Sequence, residues 1–219
     1  MGYYEKVKSN EEVNIYLKKA DEALKALGYT DHGSAHCTLV AERAGYLLKI
    51  LGYTEKEIDL VKVAAYLHDI GNITNRNSHS QSGGLISFYL LNKIGLPPED
   101  IATVVTAIGN HDEHTGTAVS NISAALILAD KSDVHRSRVR NNDFSTFDIH
   151  DRVNYAVESS KVIIDKINRK AVLELHIDTK ICPVMDYFEI FLARMTMNRR
   201  AAAFLKLDFE LIINGNRLL

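Results

Sequence analysis

The feature that most constrains this chain is a series of apolar stripes at helical spacing that run into histidine or aspartate. In EIDLVKVAAYLHDIGN, Ile58, Val61, Ala65 and His68 fall at i, i+3, i+7 and i+10, so they share one helix face, with Asp69 beside it. An imidazole and a carboxylate at the buried end of such a face each need a partner. Burying a neutral polar group alone costs roughly 2–7 kcal/mol, and a charge costs more.

The pattern repeats along the chain. Helices are expected over about residues 10–27, 34–51, 54–69, 79–94, 98–110 and 120–134. Ser34 is placed as an N-cap, and Thr54 and Glu57 stand at capping-box spacing. Gly52 and Gly71 read as stops, and Pro97-Pro98 opens the fifth helix. His36 lines up with Val40 and Leu47, and His79 with Ile86 and Leu90, with Gly83 leaving room next to it. His111 extends the stripe of Ile101, Val104, Val105 and Ile108, and Asp130 follows Ile122 and Leu126.

From residue 141 the character changes. NNDFSTFD is a polar loop. KVIIDKI and AVLELHID flank the turn NRK as a β-hairpin, and VMDYFEIFLARMTMNRRAAAFL reads as a long helix. KLDFELII alternates like a strand before an Asn-Gly turn at 214–215. The expected fold is mainly α: a helical bundle over residues 1–145 that carries the site, and a small C-terminal α+β (ββαβ) subdomain over 146–219.

One buried histidine is ordinarily a core residue bonded to a backbone carbonyl. Five helices that each contribute a histidine, an aspartate or both are a different matter. The economical partner for four imidazoles and two carboxylates is a metal, because their lone pairs all need an electrophile. The set suits iron, manganese, zinc or cobalt, with nickel or magnesium as further candidates, but not calcium. Six ligands exceed one tetrahedral zinc. Two ions bridged by Asp69 would use them all.

The ordered residues His36, His68-Asp69 in HDIG, and Asp130 in LAD resemble the H…HD…D signature of the HD superfamily of metal-dependent phosphohydrolases. His79 in HSQSGG and His111 in AIGNHDE look like the extra histidines of its two-metal branches. The resemblance covers about residues 30–140. Members often carry lysine where this chain has Asn72, and the GYP motif of cyclic-dinucleotide hydrolases is absent. The resemblance implies an HD-domain helical bundle that hydrolyses a nucleotide or another small phosphate ester through metal-activated water. It assigns His36, His68, Asp69 and Asp130 to one ion, and Asp69, His79 and His111 to the other.

Phosphate also calls for cationic donors. Lys131 follows Asp130, and DVHRSRVRNN supplies Arg136, Arg138 and Arg140. Asn72, Arg76, Lys131, Arg136, Arg138 and Arg140 are therefore the candidates for substrate phosphate, and Asp69, Lys131 and Arg136 are assigned to catalysis. His32 and His114 flank ligand positions and are expected as exposed loop residues. Cys37 is expected to be packed.

Composition limits the partners. With 26 Lys+Arg against 28 Asp+Glu, the formal charge of -2 offers no polyanion-binding surface, so nucleic acid is not expected. No apolar run approaches a membrane span, MGYYEKVKSNEEVNIYL lacks a signal-peptide pattern, and Cys37 and Cys182 form no CxxC pair. A cytoplasmic protein is expected. The apolar strand KLDFELII suggests a homodimer. Two other readings of the same ligand set stay open: a di-iron oxygenase of HD fold, and a non-catalytic regulatory module that contains metal.

Overall fold

The computed structural model describes residues 2–218. Helices α1 (Tyr3–Lys8), α2 (Glu11–Ala26), α3 (Ser34–Leu51), α4 (Glu55–Leu67), α5 (His79–Ile94), α6 (Pro98–Gly109) and α7 (Asn121–Lys131) form the bundle. A short helix α8 (Ile149–Ala156) then leads into strands β1 (Val157–Asp165) and β2 (Lys170–Ile177). The long helix α9 (Val184–Phe204) connects to β3 (Asp208–Ile213) and β4 (Asn216–Arg217). The fold is mainly α with a small sheet, as the sequence patterning indicates.

The centre of the bundle is α7. Every residue from Ile122 to Lys131 is buried, so this helix is packed on all sides rather than along one stripe. It starts at Ser120, whose side chain accepts the Ser123 N–H while Ser123 reaches back. The Thr54–Glu57 capping box is present at the start of α4. Ser34 is the first residue of α3 and not its cap, a role that falls to Gly33.

Two local expectations need correction. The helix expected over residues 54–69 is α4, which ends at Leu67, two residues early, and the chain tightens into a 3-10 turn over Ile70–Ile73. Gly71 does not stop it through a left-handed conformation. A Cβ there would lie 1.9 Å from the His79 carbonyl oxygen and 2.4 Å from the Gly83 nitrogen. The glycine is there so that the start of α5 can press against the turn. The second correction is α8, in a stretch that the sequence pattern left without an element. Asp148 caps it by accepting the Asp151 N–H, and Val153 and Ala156 face the core.

The sheet has the order β1-β2-β3-β4. The β1–β2 hairpin is antiparallel and β3 returns through α9 to pair parallel with β2. Asn214 (φ 51°) and Gly215 (φ 78°) make the turn into β4. The apolar strand β3, read in the sequence as wanting a partner, is therefore paired on both edges within the chain. The sheet is stitched to the bundle. The Arg43 side chain donates to the Ser160 carbonyl at 2.9 Å, and the Ser160 hydroxyl bonds the Ser132 carbonyl. No helix among the described residues is long and apolar enough to cross a membrane.

Candidate metal centre

Helix ends deliver the imidazoles. His68 follows the last turn of α4 and its Nδ1 donates to the Ala65 carbonyl at 2.7 Å. His111 follows α6 and its Nδ1 donates to the Ile108 carbonyl at 2.6 Å. His79 opens α5 and its Nδ1 donates to the Arg76 carbonyl at 3.0 Å. Each takes the carbonyl three residues back, at the C-terminal end of a helix for His68 and His111 and in the loop before α5 for His79. His36, in the first turn of α3, instead gives its Nδ1 proton to Asp133 Oδ2 at 2.7 Å. Carbonyl and carboxylate oxygens only accept, so all four Nε2 atoms are left as lone pairs.

Those lone pairs face one another. His36 Nε2 lies 3.3 Å from His68 Nε2, and His79 Nε2 lies 3.2 Å from His111 Nε2. Asp130 Oδ1 is 3.5 Å from His36 Nε2 and 3.6 Å from His68 Nε2. Asp69 divides its oxygens. Oδ2 lies 3.2 Å from His68 Nε2 and 3.7 Å from His36 Nε2, while Oδ1 lies 3.6 Å from His79 Nε2. All six residues are buried, and Asp69 Oδ2 has no hydrogen-bond donor. Acceptors pressed together in a buried site repel unless an electrophile lies among them.

The spacing fits one. Two ligand atoms each ~2.1 Å from an ion sit roughly 3.0 Å apart in octahedral and 3.4 Å in tetrahedral geometry. The nitrogen and oxygen set, with no thiolate, suits a divalent transition ion. Two compact triads are placed to hold metal: His36, His68 and Asp130, and His68, Asp69 and His111. His79 joins the second through its contacts with Asp69 and His111.

The electrostatics agree with ligand chemistry except at His68, where Asp69 and Asp130 outweigh burial and raise the pKa, so an ion there would displace a proton. Burial pushes the His111 and His79 imidazoles below their usual pKa, which keeps them in the neutral form that a metal needs. For Asp69, burial alone would raise the pKa, but His68 and Arg76 hold it well below the carboxylate range. Asp130 behaves alike, with Lys131 and His68 outweighing its burial.

Several supporting residues carry no periodic signal in the sequence. Asp133, one turn beyond Asp130, orients His36 and is itself held by Arg43 at 3.5 Å and Arg138 at 3.7 Å. Glu113 and Arg194 extend a chain of alternating charge. Asp130 Oδ2 meets Lys131 Nζ at 2.7 Å, Lys131 Nζ meets Glu113 Oε2 at 2.7 Å, and Glu113 Oε1 meets Arg194 Nε at 3.4 Å. The spacing of the DKSD segment could have pointed to Asp133. Nothing local points to Glu113 or Arg194.

The cationic candidates are placed unequally. Arg76 reaches the centre: its Nη1 is 3.6 Å from Asp69 Oδ1 and 3.4 Å from His79 Nε2. Asn72 is close too, but its amide donates to the backbone and side-chain oxygens of Asp69, both at 2.9 Å, so it orients that ligand. Lys131 is buried and occupied by Asp130 and Glu113. Arg138 is tied to the carbonyls of Asp31 and Asp133. The structure does not bring Arg136 or Arg140 to the centre: Arg136 pairs with Glu158 and Arg140 with Asp21. Cys37 is packed as expected. His114 is exposed, but His32 is buried, contrary to its expected place in an open loop. Its ring centroid is 5.6 Å from that of His36, and its Nδ1 is bonded to the Thr30 carbonyl at 2.7 Å. A cleft of about 660 Å³ opens beside the cluster, lined among others by His32, Arg76, Glu113, His114, Phe191 and Arg194.

A helical bundle that gathers four histidines and two aspartates from five helices around a buried, electrophile-seeking centre defines a class of metal-binding proteins. The HD domain family model matches residues 33–189, well over half of the chain, and the protein belongs to that family. An uncharacterized protein of Methanocaldococcus jannaschii is 31% identical over 160 residues, 63% of this chain and 61% of that one. The chain thus spans somewhat under two thirds of that relative's length. The crystal structure of a predicted HD superfamily hydrolase from an uncultured Thermotogales bacterium is 25% identical, with a TM-score of 0.43 over 57% of this chain and 69% of that chain.

Proposed function

We propose that this protein is a metal-dependent phosphohydrolase that cleaves small phosphate esters, nucleotides among them. The observation that carries the reading is the pair of facing Nε2 couples with Asp69 between them, beside a cleft that Arg76 enters. His36, His68 and Asp130 would hold one divalent ion and His79 and His111 another, with an oxygen of Asp69 toward each. Ions there would neutralise phosphate oxygens and lower the pKa of water from ~15.7 toward ~7.

The chain's own residues supply the rest. Arg76 offers a planar fork to phosphate oxygens within reach of the ligands. Asn72 keeps Asp69 Oδ1 in place, and the Lys131–Glu113 pair keeps Asp130 Oδ2 occupied so that Oδ1 faces the histidines. His32 is kept neutral, because burial and then Arg138 push its pKa well down. With Nδ1 spent on Thr30, its Nε2 can accept a hydrogen bond from a substrate hydroxyl.

The test combines metal analysis with an ester panel: nucleoside mono-, di- and triphosphates and simple phosphate esters, each with manganese, iron or cobalt. About two ions per chain and phosphate release are expected, and Asp69→Asn should cut release by about 10³-fold or more, the scale of losing a principal electrostatic group. Oxygen uptake without phosphate release would replace the reading with the oxygenase one. Phosphate release unchanged in Asp69→Asn would remove the site.

A further inference from the structure

This inference rests on the phosphohydrolase reading and concerns what else the substrate carries. The cleft of about 660 Å³ is far larger than a phosphate group needs. It falls within the roughly 300–1,000 Å³ of pockets that take extended organic ligands. Its three guanidinium groups differ in how fully they are used. Arg138 spends Nε, Nη1 and Nη2 on two backbone carbonyls at 2.7–2.9 Å. Arg76 stands against the metal ligands.

Arg194 is the third. Among the described residues it makes one hydrogen bond, Nε to Glu113 Oε1 at 3.4 Å, the long limit for such a bond. Glu113 already has a closer partner in Lys131 at 2.7 Å. The Arg194 guanidinium lies 4.4 Å from the centroid of the Phe191 ring. That contact fixes the group without consuming its N–H donors. Its side chain is 19% exposed, so solvent reaches only part of it. A held, planar cation with both terminal amino groups unspent, on the wall of a cleft, matches the oxygens of a carboxylate or phosphate. Other cleft carboxylates have donors of their own: Asp112 accepts from the His114 N–H and Asp148 from the Asp151 N–H.

We propose that Arg194 is a subsite for a second anionic group, so that the preferred substrates are phosphate esters bearing another phosphate or a carboxylate. Arg76 and the ligand cluster take the phosphate that is cleaved, and Arg194 takes the far charge. Phe191 and Arg194 lie on α9 beyond residue 189, where the family match ends. The subsite is thus a feature of this chain's C-terminal helix.

Matched ester pairs test it: a nucleoside 5′-monophosphate against its 3′,5′-bisphosphate, and glycerol phosphate against phosphoglycerate. The readout is the ratio of kcat/KM, doubly over singly anionic, in the metal-loaded full chain. For at least one pair the ratio should exceed about 10, the scale of one charge-assisted hydrogen-bonded pair. Arg194→Gln should bring it toward one, and Arg194→Lys should restore part of it. Which pair responds tells phosphate from carboxylate. A ratio near one in the unaltered protein overturns the proposal. So does a ratio that Arg194→Gln leaves unchanged while slowing both members alike, since Arg194 would then act only through Glu113, Lys131 and Asp130. Calorimetric binding of non-hydrolysable phosphonate analogues of the same pairs gives the same ratio without turnover. If no ester is cleaved, the phosphohydrolase reading falls, and the binding ratio still decides the subsite.

Discussion

His36 differs from the other three histidines in what holds it. His68, His79 and His111 are oriented by backbone carbonyls, which no side-chain substitution can remove. His36 is oriented by Asp133, 97 positions away in sequence. Asp133→Asn keeps the volume but alters the charge and the bond to Nδ1. Metal affinity is expected to fall about 10–100-fold, the usual effect of losing a partner behind a ligating histidine. Cobalt titration followed by its visible absorbance checks this, and an unchanged affinity would remove Asp133 from the centre. The candidate ligands themselves are legible because five of them extend an apolar stripe and Asp69 stands next to one. Asp133 is harder to see, since it lies past the end of α7, where helical spacing no longer says which way a side chain points.

At the scale of elements, the centre depends on how closely α5 meets the turn after α4. Gly71 and Gly83 are the contact, and a methyl group on Gly71 would collide with backbone atoms that cannot swing aside. Gly71→Ala should destabilise the fold by roughly 1–3 kcal/mol, as overpacking does. It should also weaken metal binding, because His79 opens the displaced helix. Melting temperature and metal content of the same preparation should fall together. Full metal content at an unchanged melting temperature would contradict the packing argument. The helices themselves follow from stripes, caps and prolines. Their ends are less sharply marked in the sequence, and α8 carries no clear signal there, because short elements lean on tertiary contacts more than on a pattern of their own.

For the whole molecule, the linkage of charge to folding gives a pH dependence in the metal-free state. Burial alone would raise the Glu113 pKa, but Lys131 and Arg194 outweigh it and pull it well below the usual 4.5. Its stabilisation is complete above that value and is lost as pH falls through the depressed one. His32 and His111, held neutral by burial, act with the same sign from about 6.5 downward, because the unfolded chain takes up protons first. His68 opposes them: burial lowers its pKa, but Asp69 and Asp130 outweigh it and raise it, so its contribution is present below 6.5 and is lost as pH rises. Between pH 7 and 4 the histidines held neutral by burial, His32, His111 and His79, outnumber His68, and Glu113 adds its loss only below 4.5, so the melting temperature of chelator-treated protein should drop across that range. A flat or rising profile would contradict the assigned charge states.

The sequence by itself determined which polar residues continue the buried helix faces and on which helices they sit. Helical spacing is local, so a histidine that continues an apolar stripe declares its burial. Only the tertiary structure decided what each polar group meets. It turned Lys131 and Arg138 from phosphate donors into internal partners, and it left Arg136 and Arg140 away from the centre. It buried His32 and brought Arg194 from α9 to Glu113, 81 positions earlier. Those pairings join segments far apart in the chain, and no local period encodes them, because which cation reaches a given carboxylate depends on how the helices pack.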